Sequence, residues 1–229
     1  MHYVLVILFV LALVFGPQLW AAYTLKRHHR LRADFPGTGG ELARHLLNRF
    51  GLASVGLERT VEGQGDHYDP TSRTVRLSPQ YFDGRSVTAV AVAAHEVGHA
   101  IQHGSDYAPL LWRGRLIVFA QSAEKFGSVL MFSIPLVAMM TRSPGAGVAM
   151  FILGLLTMAM GVVVHLVTLP VELDASFKRA LPILMAGEYI EKKDETAARS
   201  VLRACALTYV VASLASLLNF WRWLKLWQR

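Results

Sequence analysis

The sequence predicts a mainly α-helical membrane protein. About four transmembrane helices accompany a small α+β catalytic portion, in which a β-hairpin lies beside a helix carrying H-E-x-x-H. Three observations predict it. Hydrophobic residues make up 53% of the 229-residue chain and charged residues only 17%, against roughly 25% charged in soluble domains. Long uncharged runs recur along the chain, and a polar, alternating stretch separates the first from the rest. That polar stretch leads into His95-Glu96-Val97-Gly98-His99.

The first run, Tyr3 to Leu25, carries no charge and is long enough to span a hydrocarbon core of about 30 Å. A signal peptide places positive charge before its apolar run. Here Lys26, Arg27, Arg30 and Arg32 follow it. Residues 1–25 are therefore expected to be a retained transmembrane helix with its basic end on the cytoplasmic side.

Residues 26–125 are expected to form a catalytic portion facing the membrane. Thr38 and Glu41 have the spacing of a capping box, so a helix follows to about Phe50 and stops at Gly51. Val55 to Val61 alternates as a strand does. Asp66 to Pro70 and Thr71 to Ser78 read as a hairpin turning near Asp69-Pro70. Ser86 is the expected cap of the H-E-x-x-H helix, over about 86–104. Its uncharged run after Arg85 is too short to cross a bilayer alone, which makes it a core helix.

Residues 126–170 are expected to be a transmembrane hairpin. Phe126 to Thr141 is uncharged but short, about 24 Å at 1.5 Å per residue, and a mixed helix over Trp112 to Lys125 leads into it. Arg142-Ser143-Pro144-Gly145 turns the chain, and Val148 to Leu169 is the stronger span. Residues 171–203 hold a helix bearing acidic residues and then a polar helix. Residues 204–229 hold a fourth apolar run, transmembrane or re-entrant, with an aromatic, basic tail from Trp221 to Arg229.

The net charge is +7. It is concentrated beside apolar segments and no nucleic-acid module accompanies it, so the lipid bilayer rather than nucleic acid is the expected partner. The lone cysteine, Cys205, excludes an intrachain disulfide and reads as a small buried hydrophobe.

His95 and His99 stand four apart, so on a helix both imidazoles share one face and can meet one metal ion. Two imidazoles are half of a tetrahedral zinc site, and Glu96 beside them is placed to act as general base. Glu172 is the expected third ligand: two crossings by the hairpin return the chain to the face it left. Asp174 is its competitor, and an acid favoured by a helix N-terminus is the plainer reading. A longer zinc motif, with a glycine and a third histidine further along the helix, is excluded because those positions hold Gln102 and Ser105.

Asp66-His67-Tyr68-Asp69-Pro70, Arg76-Leu77-Ser78-Pro79, Ala93-Ala94-His95-Glu96-Val97-Gly98-His99-Ala100 and Leu169-Pro170-Val171-Glu172-Leu173-Asp174-Ala175-Ser176 follow in one order. In this the chain resembles the bacterial multi-pass-membrane neutral zinc metallopeptidases over nearly its whole length. The resemblance implies a membrane-anchored protease of the bacterial cytoplasmic membrane with a zincin-like, gluzincin-type site, and one Zn2+ per chain. In relatives of that site the third-ligand glutamate is followed by an aspartate four residues later. Here that place is Ser176, and Asp174 stands at two.

The expected activity is hydrolysis of peptide bonds in a protein or peptide substrate, itself membrane-associated, on the cytoplasmic face. His67, Tyr68 and His103 are candidate oxyanion donors, and Asp174 a candidate partner for a ligand histidine. His67 and Tyr68 have the plainer reading of packing the hairpin. The strand bearing Arg73, Val75 and Leu77 is a candidate edge for an extended substrate. The alternative is a non-catalytic membrane scaffold or sensor with a structural or regulatory zinc. Such sites usually close all four positions and favour cysteine.

Overall fold

The computed structural model describes residues 2–61, 64–142 and 144–207. Helix α1 (His2–Arg27) is followed by α2 (Gly39–Arg49), strands β1 (Gly56–Arg59), β2 (His67–Asp69) and β3 (Thr74–Leu77), and a short α3 (Pro79–Phe82). Then come α4 (Val87–Gly104), α5 (Ala108–Thr141) and α6 (Pro144–Leu173). A π-helical segment, Asp174–Ala180, joins α6 to α7 (Leu181–Ala186), and a last helical stretch covers 195–207.

Local chemistry explains the elements around the site. The capping box of α2 forms in full: the Thr38 hydroxyl accepts from the Glu41 amide at 3.2 Å, and the Thr38 amide donates to the Glu41 carboxylate at 2.7 Å. Gly51 closes that helix end at φ 71°, in the left-handed region. The β2–β3 turn is built by Asp69, whose carboxylate accepts from the Thr71 amide at 2.9 Å and the Ser72 hydroxyl at 2.7 Å. Ser86 caps α4 by accepting from the Ala89 amide at 3.1 Å.

The sheet order is β1-β3-β2, with β1 parallel and β2 antiparallel to β3. This corrects the expectation that the strand of Arg73, Val75 and Leu77 is a sheet edge. That strand is central and its backbone is paired on both sides. The physical reason is burial: Val75 and Leu77 are fully buried, and the middle of the sheet is where such side chains meet the core. The outer strand beside the site is β2.

The core lies between α2, the sheet, α4 and the helices after residue 180. Leu46, Leu47, Val97, Leu184, Val201 and Leu202 are fully buried in it. Helix α4 is enclosed along nearly its whole length, and its alanines and valines let neighbours approach from several sides. The C-terminal end of α1 docks on it through the Thr88 hydroxyl, which donates to the Leu25 carbonyl at 2.9 Å.

The four-span expectation is also corrected. Among the described residues, no helix is long and apolar enough to cross a membrane. The run Phe126 to Thr141 is not a separate element: it is the second half of α5, whose first half carries Arg113 and Arg115. Helix α6 runs on through Pro170 to the buried Glu172. The start of the fourth run is core, since Ala204 and Ala206 are fully buried; its remainder and the basic tail lie outside the described residues. The helix–turn–helix itself is present, α5 and α6 packing against each other along their lengths.

Candidate metal centre

Nε2 of His95 and Nε2 of His99 both face one oxygen of Glu172, Oε2, at 3.3 Å and 3.2 Å. All three side chains are buried. Among the described residues, this is the group of histidine and carboxylate ligands whose donor atoms lie within 4.8 Å of one another. Two imidazole nitrogens and one carboxylate oxygen around a common point suit zinc in donor type and number. The α5–α6 hairpin explains the meeting: it leaves α4 after residue 104 and returns Glu172 to it.

Outer hydrogen bonds hold both imidazoles through Nδ1. Gln102 Nε2 donates to the Val171 carbonyl at 2.8 Å and to Asp174 Oδ1 at 2.9 Å. Its Oε1 therefore faces His99 Nδ1, 2.9 Å away, as an acceptor. On the other histidine, the Ser176 hydroxyl donates to the Leu202 carbonyl at 3.1 Å and can accept from His95 Nδ1 at 2.9 Å. With Nδ1 donating in each ring, Nε2 is the nitrogen that faces Glu172, as an N–H donor when the imidazole is protonated and as a lone pair when it is neutral. Asp174 is held in turn by Arg179 Nε at 2.8 Å.

One glycine permits this assembly. A Cβ on Gly98 would lie 2.9 Å from the carbonyl oxygen of Ala175. Only a residue without a side chain lets α4 press so closely on the segment that carries Asp174 and Ser176.

Electrostatics match the geometry. Burial opposes charge on Glu172, but the adjacent His99 and His95 more than offset it, and the carboxyl sits below its usual range. Burial pulls the His99 imidazole down, while the charge and hydrogen bond of Glu172 raise it on balance. Glu96 is pushed the other way: its burial raises the carboxyl above its ordinary value. Asp174 is lowered because the Gln102 and Arg179 hydrogen bonds outweigh its partial burial.

These groups open on a cavity of about 670 Å³. Glu96 lines it with the three candidate ligands. One wall is Asp66 with the β2 residues His67 and Tyr68; another is the start of α5, with Leu110 and Arg113. Of the expected oxyanion donors, Tyr68 lines the cavity and its hydroxyl is hydrogen-bonded to His103 Nδ1 at 2.8 Å. His67 also lines it, with Nδ1 on the Gly65 carbonyl at 2.8 Å. His103 does not line the cavity; it stands behind Tyr68.

Sequence reasoning missed Gln102, which follows His99 at helical spacing, and Arg113, which no local pattern marks. Ser176 was visible only as a departure from the expected aspartate.

A family model described as "putative neutral zinc metallopeptidase" matches residues 3–228. The chain belongs to this family. Zinc is thus the metal that this metallopeptidase family implies, and a peptide or protein is its substrate class. Among curated proteins, the "Putative membrane protease YugP" of Bacillus subtilis (strain 168) is 34% identical over 229 residues, covering 96% of this chain and 95% of the relative. No solved structure matches this neutral zinc metallopeptidase. The resemblance read from the four ordered motifs is borne out at the level of the family.

Proposed function

We propose that this chain is a zinc-dependent endopeptidase with one zinc per chain, held by His95, His99 and Glu172 in a gluzincin-type set. The observation that carries the reading is the convergence of two Nε2 atoms and one carboxylate oxygen, with Glu96 beside them in the same cavity. Zinc, when bound, supplies Lewis-acid activation of a water and of the scissile carbonyl.

The remaining work falls to the chain's own groups. Glu96 takes the proton from the attacking water and passes it to the leaving amine. Burial raises its carboxyl above the ordinary value, which favours its holding the proton between the two transfers. Tyr68, held by His103, is the oxyanion donor of this reading. The outer strand β2 is the edge on which an extended substrate pairs, which favours cleavage within a chain.

Membrane association belongs to the same reading. The relative carries "membrane protease" in its name, and large apolar side chains such as Phe119, Phe126, Met139 and Met140 are exposed on α5. Flotation of the full chain with lipid vesicles tests it: recovery only in the soluble fraction removes this part.

The alternative, a scaffold or sensor with a structural zinc, is disfavoured because such sites close all four positions. Here the three-residue set opens on a cavity beside an acid. Glu96→Gln separates the two. The account expects the variant to keep its zinc and lose cleavage of casein, as removal of a general base typically costs about 10²–10⁴-fold. Retained cleavage with zinc still bound rejects the mechanism.

A further inference from the structure

Glu172 presents two oxygens to two different partners. Oε2 faces the two imidazoles; Oε1 faces Nη1 of Arg113 at 3.2 Å. The carboxylate is fully buried and the Arg113 side chain is only 15% exposed, so the pair is held away from bulk water, where ion pairing and its geometry count for more. Arg113 and Glu172 occupy the two roots of the α5–α6 hairpin, one just after α5 begins at Ala108 and the other just before α6 ends at Leu173. The long excursion between them returns to an ion pair at the cavity that both residues line.

We propose that Arg113 is a positioning residue that keeps Glu172 a one-oxygen ligand. A carboxylate beside a metal can bind through one oxygen or through both. A guanidinium on Oε1 competes for that oxygen, opposes rotation of the carboxylate, and leaves Oε2 alone for ligation. With two imidazoles and one oxygen, a tetrahedral ion keeps its fourth position for water or substrate. A second carboxylate oxygen would crowd it. The role rests on the proposed zinc reading, and it asks of Arg113 no contact with substrate.

Cobalt(II) substitution reads this directly, since its visible absorption is intense in four-coordinate and weak in five-coordinate sites. Wild type that takes up cobalt, shows the four-coordinate band and cleaves peptide passes the zinc reading, independently of Arg113. Arg113→Gln is then expected to show the weaker five-coordinate spectrum, and a kcat lower by roughly 10–100-fold with KM little changed. Arg113→Lys keeps a cation at Oε1 and is expected to retain the four-coordinate band, which guards against misfolding in the uncharged variant. Arg113→Gln with a wild-type spectrum overturns the proposal, whether turnover falls or not. A five-coordinate spectrum in Arg113→Lys overturns it as well.

Discussion

Gly98→Ala tests how closely the site depends on backbone contact. The added Cβ would sit 2.9 Å from the Ala175 oxygen and 3.4 Å from Ala175 C and Cα. The oxygen is about 0.5 Å inside ordinary van der Waals contact, and it is backbone, so it cannot swing away as a side chain would. Overpacking of this kind costs about 1–3 kcal/mol, and the better helix propensity of alanine returns roughly 1 kcal/mol. Net destabilisation is then about 0–2 kcal/mol, a fall in Tm of a few degrees for a chain of this size. The effect on activity is larger. Ala175 lies between Glu172 and Ser176, so relief of the clash displaces a candidate ligand and a histidine partner together. A misplacement of about 1 Å can cost about 10²-fold, and a shift of half that predicts a fall of about 10-fold in kcat/KM. The assay pairs peptide hydrolysis with thermal melting of the zinc-loaded protein. Gly104→Ala is the control, because there the Cβ meets the tip of the Leu52 side chain, Cδ2 at 2.8 Å, which can move. Wild-type kcat/KM in Gly98→Ala would refute the reasoning.

Gln102→Ala removes the acceptor for His99 Nδ1 and the donor to Asp174 at once. Zinc affinity, measured by chelator competition, is expected to fall about 10–100-fold, with a stability loss of about 1–3 kcal/mol from the polar groups left buried; unchanged affinity refutes the role. Zinc affinity should also fall with pH. Ligation needs a neutral imidazole, and Glu172 raises the metal-free His99 imidazole above its ordinary value against the pull of burial. Protons therefore compete from a higher pH than for an ordinary histidine, and affinity declines as pH falls. An affinity flat between about pH 8 and 6 contradicts this coupling.

What was legible in the sequence was local. Thr38 and Glu41 state their capping box in their spacing, Asp69 states its turn, and His95 and His99 state a shared helical face. Glu172 became legible because a hairpin must bring the chain back. That step survives the loss of its premise: α5 and α6 return Glu172 to α4, although no described helix is long and apolar enough to cross a membrane. Apolar runs alone did not separate core from lipid, and Ala204 and Ala206 show why, since they are buried in protein. The order of the strands was not legible, because alternation within Thr74–Leu77 says which faces are apolar but not how many neighbours the strand has. Arg113 was invisible for a related reason. Its meaning depends on a partner 59 residues away in sequence, at the other root of the hairpin.

The central claim is that His95, His99 and Glu172 hold one zinc that hydrolysis requires. Its most direct test is the zinc content of purified Glu172→Ala beside wild type, under a chelator that leaves wild-type metal in place. The account predicts one zinc per chain in wild type, and a variant that has lost its zinc together with its peptidase activity. Full zinc content in Glu172→Ala would contradict it.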